Sequence, residues 1–239
     1  MFLILLTIPL FFLTLTGFTQ SIPSYVPTNG LVGFWTMNGT HLDSSPNQNP
    51  TTNYGVTFGG YRDNPNNQVG IWEPDTNCNT GLVVTQLDTS GMYDGFTLSF
   101  WVKQDSLQFC YGPRMLTWGG IQFYPTGGGT STNGFVIQHF GQSTGMSTTI
   151  SNDMKNWNNI IYTFGLDSVR LYLNSSLVWV TNNQHPYPNS FVGPGLHFGL
   201  NWYNDPNYPG SFNGQLDDIG IWNRELDITE IGNLYGGSC

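Results

Sequence analysis

Asp217 and Asp218 stand side by side inside FNGQLDDIGIW, an otherwise apolar run near the end of the chain. A β-strand alternates its faces, so one acid falls with Ile219 and Ile221 toward a core, and by period two that acid is Asp217. A core-side carboxylate loses several kcal/mol of hydration unless a partner offsets it. Either a bound cation or hydrogen bonds from nearby backbone and side chains would serve.

Acid–base and nucleophilic chemistry find little else to use. The three glutamates are Glu73, Glu225 and Glu230, and the last two belong to the C-terminal segment. Glu73-Pro74-Asp75 is a carboxylate pair in turn sequence. His41, His139, His185 and His197 show no i,i+2 or i,i+4 metal spacing, and no Ser or Cys lies in a nucleophile-elbow context. The sequence reads as a non-enzyme, because the acid/base requirement is unmet.

Aromatic residues offer a different chemistry. Trp72 before Glu73-Pro74, Trp118 before Gly119-Gly120, Tyr124 ahead of a Gly-rich turn, and Asn201, Trp202, Tyr203 and Tyr208 in an Asn/Pro/Asp-rich loop are the ones least explained by core alternation. Exposed rings stack on the apolar face of a sugar while amides orient its hydroxyls. The competing reading is that such rings pack long loops onto the body of the domain.

The elements that must hold these residues are strands. Alternation appears in Leu31–Trp35, in Tyr54, Val56 and Phe58, in Phe96–Val102 and in Val169–Leu173. Further runs are Leu82–Thr85, Arg114–Trp118, Phe135–Phe140, Asn158–Phe164, Leu177–Val180 and Leu196–Asn201. About a dozen short strands between turn signals predict two facing antiparallel sheets. The one predicted helix starts at Asp227, which can cap the amide of Glu230, and ends near Gly236. Leu226, Ile231 and Leu234 pin it to the sheets.

With 239 residues, 38% hydrophobic, the chain can bury one full-sized core. A charged fraction of 9% with 30 glycines suits strands and tight turns better than long helices. The net charge of -9 repels nucleic acid and anionic membranes. Residues 1–19 are an apolar run with Pro9 and read as an export signal cut near Thr19. The runner-up is an uncleaved membrane anchor, since no Lys or Arg precedes the run. A linker at 20–29, SIPSYVPTNG in its main part, would stay extended, and the folded domain covers 30–239. The protein is thus expected to be secreted or at the cell surface. Of Cys78, Cys110 and Cys239, the pair favoured by loop composition is Cys78 with Cys110; the pairings with Cys239 are the alternatives. Asn38-Gly39-Thr40 and Asn174-Ser175-Ser176 are glycosylation sequons.

Four segments in order resemble the laminin-G-like jelly rolls of the concanavalin A-like lectin/glucanase superfamily. They are GLVGFWTMNG with the polar loop from Asp43 to Asn49, FTLSFWVK, WNNIIYTF with VRLYLN, and FNGQLDDIGIWNREL with ITEIGNLY. Pro46 stands where that family usually has Gly, and Met37 where it usually has Phe. The resemblance implies an all-β, two-sheet antiparallel sandwich closed by one short C-terminal helix, with Trp35, Trp157 and Trp222 packed within it. It brings Asn38, Asp43 and Asn47 together with Asp217, implying a structural calcium ion there. It implies a non-catalytic module binding a glycan, or else an extracellular protein as an adhesion or assembly module, with a glycoside hydrolase-related enzyme as the last alternative. The Glu-x-Asp-x-x-Glu strand pattern of the family's glucanases is absent.

Overall fold

Turn-forming glycines and asparagines cut the chain into strands of three to ten residues. The computed structural model describes residues 20–74, 76–92, 94–105, 110, 112–126, 132–139, 146–182, 195–201 and 210–237. The strands are β1 (Leu31–Trp35), β2 (Thr51–Tyr54), β3 (Thr57–Gly59), β4 (Val69–Trp72), β5 (Gly81–Val84), β6 (Gly95–Gln104), β7 (Leu116–Trp118), β8 (Ile121–Pro125), β9 (Gly134–His139), β10 (Met146–Ser151), β11 (Asn158–Gly165), β12 (Ser168–Leu173), β13 (Ser176–Asn182), β14 (Leu196–Phe198) and β15 (Gly214–Trp222). A helix, α1 (Ile228–Gly236), follows.

Two antiparallel sheets face each other, as the alternation predicted. One runs β13-β12-β11-β6-β15-β4-β3 with β1 also on β15; the other runs β10-β9-β8-β7-β14-β5-β2. Between them pack Phe96, Leu98, Phe100 and Val102 of β6, Leu216, Ile219 and Ile221 of β15, and Trp118, Ile121, Phe123 and Phe198 from the opposite sheet. A second cluster lies on the outer face of the eight-stranded sheet. There Ile231 and Leu234 of α1, with Leu226 and Val26, cover Phe34, Ile161, Tyr172 and Trp222. Each such aliphatic side chain removed from water contributes about 1.5–3 kcal/mol.

Asp227 caps α1 through Oδ1, which accepts from the Thr229 and Glu230 amides, and Glu230 reaches back to the Asp227 amide. The helix runs through Gly236, and its C-cap Gly237 is extended rather than left-handed.

Three expectations change. The single strand through Tyr54, Val56 and Phe58 is two strands in different sheets, because Gly55 takes a φ of 77° and turns the chain between them. Strands β4, β8 and β10 were not anticipated. The 20–29 segment does not stay extended: it turns at Pro23–Val26 and docks on the sheet, with Pro27 O accepting from Trp222 Nε1 and Asn29 O from Arg224 Nε. Residues 1–19 and Cys239 lie outside the described residues. No described helix is long and apolar enough to cross a membrane. Cys78 and Cys110 form the favoured disulfide.

Candidate functional site

The acid pair of β15 sits on a β-bulge. Asp217 pairs with Trp101 of β6 and Gly220 with Ser99, so β15 spends three steps where β6 spends two. Asp218 takes up the extra residue at a φ of 43°. Leu216 and Ile219 therefore both face the core, and both acids fall on the outer face. Period-two counting placed Asp217 toward the core with Ile219; the bulge reverses that assignment.

What meets the two acids is Arg62, from the β3–β4 loop. Its side chain is 2% exposed and lies 3.0 Å from Asp217 Oδ2 and 3.1 Å from Asp218 Oδ2. Its Nε donates to Asp63 at 2.6 Å, and its guanidinium lies 4.3 Å over the Trp101 ring. Tyr25 of the docked N-terminal segment donates its hydroxyl to Asp218 Oδ2 at 2.6 Å. Tyr235 of α1 stacks on Trp101 with ring centroids 5.7 Å apart. Burial and the neighbouring Asp218 hold the Asp217 carboxyl well above the ordinary range, against the pull of Arg62. Burial alone would lower the Arg62 pKa, but Asp218, Asp217 and Asp63 outweigh it and raise it.

The other residues assigned to calcium are occupied in a different way. Asp43 Oδ1 accepts from the Phe34 and Ser45 amides, both at 2.8 Å. Its Oδ2 accepts from Ser45 Oγ and the Asn49 amide at 2.8 Å and from Asn49 Nδ2 at 2.6 Å. Five donors thus saturate the carboxylate and tie the β1–β2 loop to β1. Asn47 Nδ2 donates to Val32 O at 2.8 Å, and the Asn38 backbone carbonyl accepts from Gln20 Nε2 at 3.0 Å. Among the described residues no three His, Cys, Asp or Glu side chains gather as a metal-ligand set. At the residues assigned to calcium, the Asp43 carboxylate is thus met by amides and a hydroxyl and the Asp217 carboxylate by a guanidinium, while the Asn38 side-chain oxygen is buried with no hydrogen-bond partner among the described residues.

The aromatic candidates divide. Trp72 and Trp118 stand in strands β4 and β7 of the core, with no ring face left for a ligand. Trp72 Nε1 donates across the sandwich to Phe198 O at 3.0 Å, and its ring fills the space a side chain at Gly199 would need. Trp118 meets Phe96 edge-to-face at 5.1 Å. Tyr124 is half-buried on β8, where the Arg114 guanidinium lies 4.5 Å over its ring. Burial raises the Tyr124 pKa against the opposing charge of Arg114. Trp202, Tyr203 and Tyr208 lie outside the described residues.

Asn201 borders a pocket of about 350 Å³ on the outer face of the seven-stranded sheet, lined by Tyr54, Asn79, Val83, His197, Leu200 and Asn201. The fold assembles it from three adjacent strands. Val83 of β5 pairs with His197 of β14, and Tyr54 ends β2 beside Gly81 at the start of β5. Cys78, bridged to Cys110, precedes Asn79, and Ser211 Oγ donates to Cys78 O, which fixes Asn79 next to the Leu200–Ser211 bridge. Burial lowers the His197 pKa, favouring neutral imidazole. From His197 a polar row crosses the sheet through Thr117, Gln122 and Gln138, each the register partner of the next. Arg114 Nε donates to Gln122 Oε1 at 2.7 Å.

Of the aromatic and amide candidates read from the sequence, Asn201 borders this pocket, whereas Tyr54, Asn79 and His197 were not among them. The period-two pattern Leu196-His197-Phe198 does place the imidazole on the outer face, but only the neighbouring strands show that it faces a pocket.

Comparison with solved structures gives the same architecture. The chain aligns with a structure of botulinum neurotoxin type C described in terms of its interaction with two ganglioside molecules (TM-score 0.68, 18% identity, 87% of this chain and 51% of that one). It also aligns with the binding domain of botulinum neurotoxin DC in complex with SialylT (0.65, 16%, 87% and 51%) and with the binding domain of Paraclostridial Mosquitocidal Protein 1 (0.64, 18%, 87% and 52%). The chain spans about half the length of these structures, and at such identities the likeness is one of fold. No curated protein matches the sequence. The profile of the Laminin_G_3 family matches residues 76–232, and with that match across most of the sandwich the chain belongs to the concanavalin A-like lectin/glucanases superfamily.

Proposed function

We propose that the chain is a non-catalytic, extracellular binding module whose ligand is a glycan held in the Tyr54–His197–Asn201 pocket. The observation that carries this reading is the composition of the pocket wall. Tyr54 is 51% exposed and offers a ring face, Val83 and Leu200 are apolar, and Asn79, Asn201 and His197 supply donors and acceptors. That mixture matches the two faces of a sugar ring, one of C–H groups and one of hydroxyls. Among the described lining residues none is a carboxylic acid, whereas glycoside cleavage needs two flanking the bond. The disulfide supports a location outside the cytosol. The solved relatives described as bound to SialylT or as interacting with gangliosides support a glycan as ligand class.

The test is a glycan array on the folded chain and on Tyr54→Ala. A signal lost in the variant at unchanged melting temperature is expected. A signal that survives Tyr54→Ala and Asn201→Ala would move the site elsewhere, and no signal at all would remove the glycan reading.

A second reading, protein binding, rests on the edge strand β13. Its sequence SLVWVTN is uncharged, and Leu177 and Val180 are 52% and 54% exposed beside a strand edge that no other described strand pairs. Such an edge can accept a strand from a partner. A relative described in complex with rat synaptotagmin II supports the class of ligand. Capture of a protein partner that Val180→Lys abolishes, with a blank glycan array, is the result this reading predicts.

A further inference from the structure

We propose that this domain needs no calcium, because the Arg62 guanidinium is itself the cation that holds the Asp63, Asp217 and Asp218 carboxylates against the outer face of the sheet.

The bulge on β15 gathers two carboxylates where regular alternation would present one, and both are buried. Such a pair needs a positive partner, because two like charges held together in a dry site destabilise each other. A metal would meet the need with a shell of six to eight oxygens. Here the partner is planar and covalently attached. Arg62 reaches Asp217 at 3.0 Å, Asp218 at 3.1 Å and Asp63 at 2.6 Å through different nitrogens of one fork. The three carboxylates converge on the guanidinium, and the Trp101 face closes it from below at 4.3 Å.

This cation does the mechanical work of a structural metal. It ties the β3–β4 loop to β15, and through the shared Asp218 Oδ2 it ties in Tyr25 and the docked N-terminal segment. At the other place where calcium was anticipated, Asp43 is filled by three backbone amides, a hydroxyl and a side-chain amide. At both places each carboxylate already has a partner: the Arg62 guanidinium for the acids of β15, amides and a hydroxyl for Asp43.

Two measurements on the full chain decide the matter. Thermal melts of the wild type in chelator and in excess calcium should coincide, and elemental analysis should find no stoichiometric calcium. A melting temperature that falls on chelation or rises with calcium overturns the proposal. Arg62→Met should lower the melting temperature by on the order of 10 °C, as loss of one partner of a buried ion pair does in a chain of this size. Adding Asp217→Asn should raise the melting temperature by several degrees more in Arg62→Met than in the wild type, because only in Arg62→Met has that charge lost its partner. An equal gain in both backgrounds would show that Arg62 serves by packing alone and would also overturn the proposal. Should Arg62→Met fail to fold, Arg62→Lys keeps the test open. A lysine point charge should preserve the fold with the same indifference to calcium, and a calcium-dependent melting temperature in Arg62→Lys would count against the guanidinium as the resident cation.

Discussion

Asp217 and Trp101 are register partners across β15 and β6, and the Arg62 guanidinium lies against both: 3.0 Å from the carboxylate and 4.3 Å from the ring centroid. A charge, its countercharge and an aromatic face thus form one stack on the outside of the sheet, under Tyr235 of α1. On the outer face of β6, Thr97, Ser99 and Trp101 are all buried.

The pH dependence of stability should carry the mark of this stack. Burial and Asp218 raise the Asp217 pKa in the folded protein above its unfolded value of about 3.9. The folded state then binds the proton more tightly than the unfolded state. The resulting stabilisation is full below the unfolded pKa and is lost as pH rises through the folded one. Asp217→Asn, which imitates the protonated acid, should melt a few degrees above wild type at mildly alkaline pH and converge with it near pH 4. Melts over that pH range test this, and a gap that widens on acidification would contradict it. Glu230, held below its ordinary range by Arg224, works in the opposite sense and is common to both proteins.

Tyr25→Phe removes a single hydroxyl, the one that donates to Asp218 at 2.6 Å. A hydrogen bond to a charged, buried acceptor contributes about 1.5–3 kcal/mol. The variant should lose a comparable amount of stability, and its 20–30 segment should become the first site cut in limited proteolysis. An unchanged cleavage pattern would mean that Val26 and the Trp222–Pro27 hydrogen bond hold the segment without help.

Much of this architecture was legible in residue order, and the failures have physical causes. The helix cap, the core face of β6 and the Leu226, Ile231 and Leu234 anchors follow from period and capping chemistry, which act over a few residues. Arg62 was invisible because 155 positions separate it from Asp217, and nothing local marks a loop arginine as buried. Asp217 was misassigned because a bulge resets the alternation that period-two counting relies on. Trp72 and Trp118 looked like loop residues because Glu73-Pro74 and Gly119-Gly120 follow them, yet each is the last residue of a short core strand. Of the residues lining the proposed pocket the sequence singled out one, Asn201, since the wall is built from strands brought together only by sheet order.

Tyr54 and Trp72 should separate ligand contact from scaffold. Trp72→Ala empties a fully buried ring position and removes the Nε1 donor to Phe198 O, so a loss of about 3–5 kcal/mol is expected. Tyr54→Ala removes a half-exposed ring at an edge and should leave the denaturant midpoint within the range of an ordinary surface change, about 0.5 kcal/mol. The same variant should abolish glycan retention. Chemical denaturation read beside affinity chromatography checks both halves, and a large stability loss in Tyr54→Ala would assign that ring to packing.

The Cys78–Cys110 disulfide should matter twice. It closes a loop of 32 residues, for which restriction of the unfolded chain corresponds to about 3–4 kcal/mol. Cys78→Ser with Cys110→Ser is therefore expected to lower the melting temperature by on the order of 10 °C. The bridge also stands beside Asn79, and the Cys78 carbonyl accepts from Ser211, whose backbone pairs with Leu200 of the pocket wall. Without the bridge these walls lose their common anchor, so glycan affinity should fall at temperatures where the variant is still fully folded. Binding measured well below the new melting temperature distinguishes the two effects, and an affinity equal to wild type there would show that the disulfide stabilises the sandwich without shaping the pocket.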